Sequence, residues 1–206
     1  RISLGIQDFR EDVLEAINRK PSKKPLEQII KKISDEGFTG TNIDLVYGLP
    51  LQTVKSFNET LERAIKLDTD RIVTFSYAHV PSIIHRQKVL ENIGFPDSNE
   101  KAQMYEDSFQ KLTDAGYISI GMDHYSKPED DFAIALSEKK LHRNFQGYCT
   151  RATTGQVYGF GASSISQLDS AYAQNIKNAS SYIENIERKG LAIFRGYSLN
   201  KNEKII

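Results

Sequence analysis

A single cysteine, Cys149, stands among the 206 residues. That excludes an intrachain disulfide and points to a reducing compartment, the cytoplasm. The thiol reads as an inert buried group. His79, His85, His124 and His142 are scattered and have no cysteine cluster beside them, so no metal site is expected from this segment alone. An excess of charge is also missing: 27 Lys and Arg balance 27 Asp and Glu without long runs. No electrostatic footprint for nucleic acid or an anionic membrane follows, which leaves small molecules or proteins as partners. No apolar run approaches the roughly 18 residues of a membrane span, and no charged leader precedes an apolar core. GxGxxG with a following acid, GxxxxGK[ST], a nucleophile elbow and HExxH are all absent, as are internal repeats and low-complexity stretches.

What is present suits one sizeable core, since 39% of residues are hydrophobic. Ile2, Leu4 and Ile6 alternate with small or polar residues, a strand pattern that ends in Gln7-Asp8-Phe9. Val13, Leu14 and Ile17 mark a short helix, and Leu26, Ile29, Ile30 and Ile33 a second one begun by Lys24-Pro25 and stopped at Gly37. Thr41 to Tyr47 is an apolar, β-rich run closed by Gly48, Leu49 and Pro50. A helix over Thr53–Leu67 and a strand over Arg71–Tyr77 follow. Strand and helix alternate, so parallel strands joined by crossover helices are expected, in a barrel or a sheet. Three strands cannot close a barrel. The expectation is a larger barrel whose earlier strands precede Arg1, or a short open sheet.

Beyond Pro81 helices are expected over 82–93 and 98–115, a strand over 117–122, and a helix entered through Pro128, Glu129, Asp130 and Asp131 and running to about Lys139. Residues 141–150 and 156–167 read as strands or ordered loops, Ala171–Lys189 as a helix ended by Gly190, and Phe194–Ser198 as a last strand before Ser198-Leu199-Asn200 starts a helix. With a strand pattern already under way at Arg1 and no initial Met, the chain reads as a piece of a longer protein.

Ligands of parallel α/β folds lie where strands end, which makes Gln7, Asp44, Tyr77, Ala78 and His79 candidates. Asp44 is the sharpest. A carboxylate inside a buried strand is costly unless paired; it caps the turn, pairs with Arg19 or Arg71, or meets a polar ligand. Arg19 either turns its guanidinium to a carboxylate ligand or ends a helix in solvent. Gln7 satisfies a backbone group or holds a ligand edge through its amide. His124 follows a strand, either as a functional group or as a structural hydrogen-bonding one.

The stretches Arg1–Phe9, Asn42–Pro50, Tyr77-Ala78-His79-Val80-Pro81, Gly121-Met122-Asp123-His124-Tyr125 and Leu141–Tyr148 together resemble the oxygen-independent coproporphyrinogen III oxidases, radical S-adenosyl-L-methionine (SAM) enzymes of haem biosynthesis. The first two stretches are shared with related haem chaperones. The last three favour the oxidases. The resemblance implies an α/β chain that is the C-terminal half of an incomplete (β/α)6 radical SAM barrel with an appended α/β segment. Residues 1–80 would be its last three strand-helix units and 81–206 an α+β segment covering the mouth.

Matched motif to motif, Gln7, Arg19, Asp44, Ala78 and Ile165 would contact SAM, and Phe145 and Gln146 would lie near the substrate or a second SAM. Coproporphyrinogen III and an electron donor are the implied partners. The cysteines of the [4Fe-4S] cluster, a glycine-rich SAM loop and a glutamate would lie before Arg1, and a further domain after Ile206, so this segment alone is expected to be inactive. A haem chaperone that transfers haem without decarboxylation is the alternative.

Overall fold

The computed structural model describes residues 1–144, 147–150 and 156–203. Contacts divide the chain into two compact units, Arg1–Ile134 and Ala135–Ile206.

The first unit is built on the expected alternation. It runs β1 (Ile2–Gln7), α1 (Glu11–Ala16), α2 (Leu26–Asp35), β2 (Thr41–Tyr47), α3 (Val54–Lys66), β3 (Arg71–Ser76), a 3-10 helix (His85–Asn92), α4 (Ser98–Asp114), β4 (Ile118–Gly121) and β5 (His124–Ser126), and enters α5 (Asp131–Ser137). The sheet order is β1-β2-β3-β5-β4. The first three strands are parallel, and β5 is antiparallel to both of its neighbours.

Period-two alternation gives this sheet two unlike faces. Leu4, Ile43, Ile72 and Tyr125 are successive cross-strand partners. They meet Phe57, Leu61 and Ala64 of α3 and Met104 and Leu112 of α4 in the core. The opposite face carries the row Gly5, Asp44, Val73 and His124.

Several local expectations change. Within 82–93 only His85–Asn92 is helical, a 3-10 helix with no buried residue, so no apolar stripe draws it into a longer α-helix. The strand at 117–122 is one arm of a hairpin: Met122, at φ 52°, turns the chain into β5, which pairs with β3. That pairing carries the first unit's sheet past residue 80, so the contact boundary falls after Ile134. Glu129 to Asp131 do form a helix entry, with Phe132 N donating to Asp130 Oδ1 at 2.8 Å.

The second unit contains the hairpin β6 (His142–Asn144) and β7 (Gly147–Cys149), then β8 (Ile165–Leu168), β9 (Ala171–Asn175), α6 (Ala179–Lys189) and β10 (Ile193–Ser198). Its sheet order is β10-β9-β8, all antiparallel. The single helix expected over Ala171–Lys189 is therefore split. Residues 171–175 are claimed by strand neighbours on both sides, and Asn178 caps the helix, accepting from Ser181 N at 3.0 Å. Gly190 ends it at φ 72°, the left-handed conformation that glycine adopts without penalty. At the end of β10 the ladder goes on through Leu199 N to Ser170 O at 2.8 Å, and Asn200 caps a turn at 200–203; the rest of the helix expected from Ser198 lies outside the described residues. Cys149 is half-buried rather than enclosed. No helix among the described residues is long and apolar enough to cross a membrane.

Helix α4 depends on a reciprocal cap: Glu100 N donates to Asp97 Oδ1 at 2.8 Å and Asp97 N to Glu100 Oε2 at 2.9 Å. Asp97→Ala is expected to cost about 1 kcal/mol. Thermal unfolding of the variant should fall by about 2–4 °C.

Candidate functional site

The site begins at the end of β1. Gln7 has φ 69° and marks an irregularity in the β1–β2 register between Gly5 and Gln7. This turns its side chain back along its own strand. A Cβ placed on Gly5 would sit 2.6 Å from Gln7 Nε2 and 3.6 Å from both terminal nitrogens of Arg19. The amide and the guanidinium thus converge over a residue with no side chain. Arg19 reaches that place because α1 ends in a tight turn at Asn18, φ 57°, with Arg19 N donating to Leu14 O at 2.8 Å. Its side chain, with Gly5 and the Lys20–Lys24 loop, borders a cleft of about 730 Å³ along the β1 edge.

Asp44 is the cross-strand partner of Gly5. It is half-buried and mid-strand, not enclosed and not at the strand end, because alternation turns it to the face away from the core. Its Oδ1 accepts from Asn42 Nδ2 at 2.8 Å and its Oδ2 from Ser3 Oγ at 3.4 Å. The expected pairing with Arg71 does not form. Arg71 instead meets Asp130: its Nε donates to Oδ1 at 2.8 Å, and its ring-facing guanidinium lies 3.3 Å from the Phe132 centroid. No ion pair joins Asp44 to Arg19 among the described residues. Asn42 Oδ1 is buried without a hydrogen-bond partner there, an unmet acceptor beside the Asp44 carboxylate.

Ala78 is exposed two residues beyond β3. Gln87 clasps the backbone around it, donating from Nε2 to Ala78 O at 3.0 Å and accepting from Val80 N at 2.7 Å. Tyr77 stacks on Phe95 with centroids 5.7 Å apart, and His79 packs on the same ring at 4.6 Å. His124, next along the row from Val73, has Nδ1 2.8 Å from Asp123 Oδ1 and stands edge-on to Phe75 at 5.9 Å. Gln7, Arg19 and Asp44 are therefore brought together around Gly5. Ile165 lies in β8 of the second unit, where Gly159 approaches its backbone so closely that a Cβ would stand 2.8 Å away. Phe145 and Gln146 lie outside the described residues.

The deeply buried carboxylates are Asp8 and Asp130, at 1% and 7% exposure. Asp8 accepts from Gln52 Nε2 at 2.6 Å, Thr60 Oγ1 at 3.0 Å and Arg10 N at 2.8 Å. Gln52 also donates to Val46 O and accepts from Leu49 N, so this network braces the Gly48-Leu49-Pro50 turn against the end of β1. The sequence signal for it was only that Asp8 follows a strand. No cluster of three His, Cys, Asp or Glu residues suited to a metal occurs among the described residues.

No family model matches the chain. Proteins named oxygen-independent coproporphyrinogen III oxidase from Salmonella typhimurium and Escherichia coli are each 40% identical over 100% of this chain and 45% of their own length. Its relatives are oxygen-independent coproporphyrinogen III oxidases. The one from Thermostichus vulcanus is 43% identical over 90% of this chain and 57% of its own length. A solved structure of coproporphyrinogen III oxidase (HemN) from Escherichia coli, described as a radical SAM enzyme, matches with a TM-score of 0.91 at 39% identity, covering 98% of this chain and 46% of that one. The mixed α/β fold is thus shared with a radical SAM enzyme. The chain spans about half the length of the oxidases it matches. None of those compared above carries the name of a haem chaperone.

Proposed function

We propose that this chain is part of an oxygen-independent coproporphyrinogen III oxidase, which converts two propionate side chains of coproporphyrinogen III to vinyl groups with loss of carbon dioxide, giving protoporphyrinogen IX. The observation that carries the reading is the 40% identity with the oxidases over the whole chain. In this reading β1, β2 and β3 are the last strands of an incomplete (β/α)6 barrel, and a cytoplasmic location goes with the single cysteine.

The residues present fit SAM. The Gln7 amide and the Arg19 guanidinium can gather over Gly5 only because no Cβ stands there, and Asn42 Oδ1 has no partner among the described residues. Arg19 would donate to the carboxylate of SAM and Asp44 would accept from its ammonium or ribose hydroxyls, charge-assisted bonds of the stronger kind. Gln7 would offer its amide to either. Ala78, small and exposed, would leave room for adenine, and Ile165 would add an apolar contact. Phe145 and Gln146 are proposed near substrate or a second SAM. Bound SAM and a [4Fe-4S] cluster would supply the one-electron chemistry that removes a propionate hydrogen. A single cysteine cannot furnish the cluster's three thiolates, so those ligands come from outside this chain.

An anaerobic assay of the intact protein with SAM and a low-potential reductant tests the proposal, protoporphyrinogen IX being the expected product. Haem binding without turnover would replace it with the chaperone. Arg19→Ala in the intact protein is expected to weaken SAM binding about tenfold, the loss of one hydrogen bond to a charged group. Calorimetric titration with SAM reads that change, and the cluster's absorption should stay as it is.

A further inference from the structure

We propose that Arg86 and Lys88 bind carboxylates of the porphyrinogen, with Ile83 and Val89 lying against its ring. The inference rests on the function proposed above, in which Ala78 makes room for adenine. The chain leaves β3 at Ser76 and returns to the same place. Phe95 stacks on Tyr77, and Gln87 of the 3-10 helix donates to Ala78 O at 3.0 Å and accepts from Val80 N at 2.7 Å. Residues 78–95 are thus a strap fastened beside Ala78. Arg86 and Lys88 flank Gln87, their Cα atoms about 3.8 Å from its own. The clasp that ties Gln87 to Ala78 therefore also sets where the two cations stand.

The outer side of the strap is apolar and basic. Ile83 and Val89 are 79% and 69% exposed, and no residue of the 3-10 helix is buried. Such a helix has three residues per turn, so positions three apart share a row. Gln87 and Leu90 form the half-buried row. Arg86 shares an exposed row with Val89, and Lys88 shares the other with Glu91. That glutamate, the strap's only acid, is turned to His79, with Oε1 3.3 Å from Nε2. Arg86 and Lys88 are exposed and make no hydrogen bond or ion pair among the described residues. Both are cations at neutral pH without any shift of their ordinary titration, and a guanidinium or ammonium gives a carboxylate charge-assisted bonds. Two cations alone would attract any anion. Interleaved with bare apolar side chains and held next to Ala78, they fit an apolar ring with carboxylates at its rim, and coproporphyrinogen is such a molecule.

The test compares the intact protein with two double variants, one neutralised (Arg86→Gln with Lys88→Gln) and one that keeps the charges (Arg86→Lys with Lys88→Arg). Each is titrated with coproporphyrin III, the stable oxidised analogue, and separately with SAM, and thermal unfolding is read alongside. Lys31→Gln with Lys55→Gln, at exposed cations of α2 and α3, controls for the loss of net charge. Neutralising the strap should raise the dissociation constant for coproporphyrin about 10-fold, the loss of hydrogen bonds to charged groups. It should raise KM for coproporphyrinogen more than it lowers kcat. The charge-keeping variant and the control should hold coproporphyrin nearly as the wild type does, and SAM affinity and unfolding temperature should not move. Unchanged coproporphyrin affinity in the neutralised protein overturns the assignment. So does an equal loss in either of the other double variants, a matching loss of SAM affinity, or a lowered unfolding temperature. A wild-type protein that binds no coproporphyrin at all overturns the proposed function as well.

Discussion

Asp44→Ala is expected to weaken SAM binding by the intact protein about 10- to 100-fold, the range for losing hydrogen bonds to a charged group. The fold should hardly notice. Asp44 is half-buried, is joined to no cation among the described residues, and accepts only from Asn42 and Ser3. Removing the carboxylate frees the Ser3 hydroxyl, which is exposed, and one Asn42 N–H, which is only part-buried, so water can take its place, while Asn42 Nδ2 keeps its bond to Ser3 Oγ at 2.7 Å. A surface change of that kind stays within about 0.5 kcal/mol, or about 2 °C in unfolding temperature. Calorimetry with SAM and a thermal scan on the same preparation separate the two roles. A falling unfolding temperature with SAM affinity intact would make Asp44 structural.

The division of labour between the two sheet faces explains why binding and stability can be separated at Asp44. Ile43 and Leu45, its neighbours in β2, are fully buried against α3 and α4. Asp44 projects the other way, among Ser3, Asn42 and Val46. The same alternation that makes β2 a strand therefore produces both a core and a polar platform.

Much of this was legible. Alternation at Ile2, Leu4 and Ile6 and the apolar run at Thr41–Tyr47 located the parallel strands, and the convergence of Gln7, Arg19 and Asp44 followed the motif match. What misled was burial. An apolar run reads as enclosed on both sides, yet only one face of β2 is covered, so Asp44 looked more costly than it is. The enclosed carboxylates, Asp8 and Asp130, draw on partners 44, 52 and 59 residues away, at Gln52, Thr60 and Arg71. No local pattern announces such pairs. β5 is three residues long, too short for period-two alternation to mark it, and β9 runs almost directly into the polar cap of α6, so β9 and α6 read as one helix by periodicity.

Arg71→Met is expected to destabilise the protein by about 1–3 kcal/mol, because the buried Asp130 carboxylate loses its bonds from Arg71 and keeps only Arg1 and Phe132 N. Asp130 has 2% of its side chain exposed and Arg71 11%. For a domain of this size that loss lowers the unfolding temperature by about 2–10 °C. The pH dependence identifies the cause. Burial alone would raise the Asp130 pKa, but hydrogen bonds from Arg71, Phe132 N and Arg1 outweigh it and hold the group below its ordinary value of 3.8. A depressed folded-state pKa means that the unfolded chain binds the proton first. The stabilisation is therefore complete above about pH 4 to 5 and is lost as pH falls through the ordinary value and then the lower folded one. Asp130→Asn removes the titrating group while keeping its shape, and leaves Arg71 and Arg1 facing a neutral amide. Its unfolding temperature should be lower than the wild type's at pH 7, and the difference should shrink as the solution is acidified. Two curves that stay parallel from pH 7 to pH 3 would place the acid sensitivity elsewhere, since only a charge present in one protein and absent from the other can make them converge.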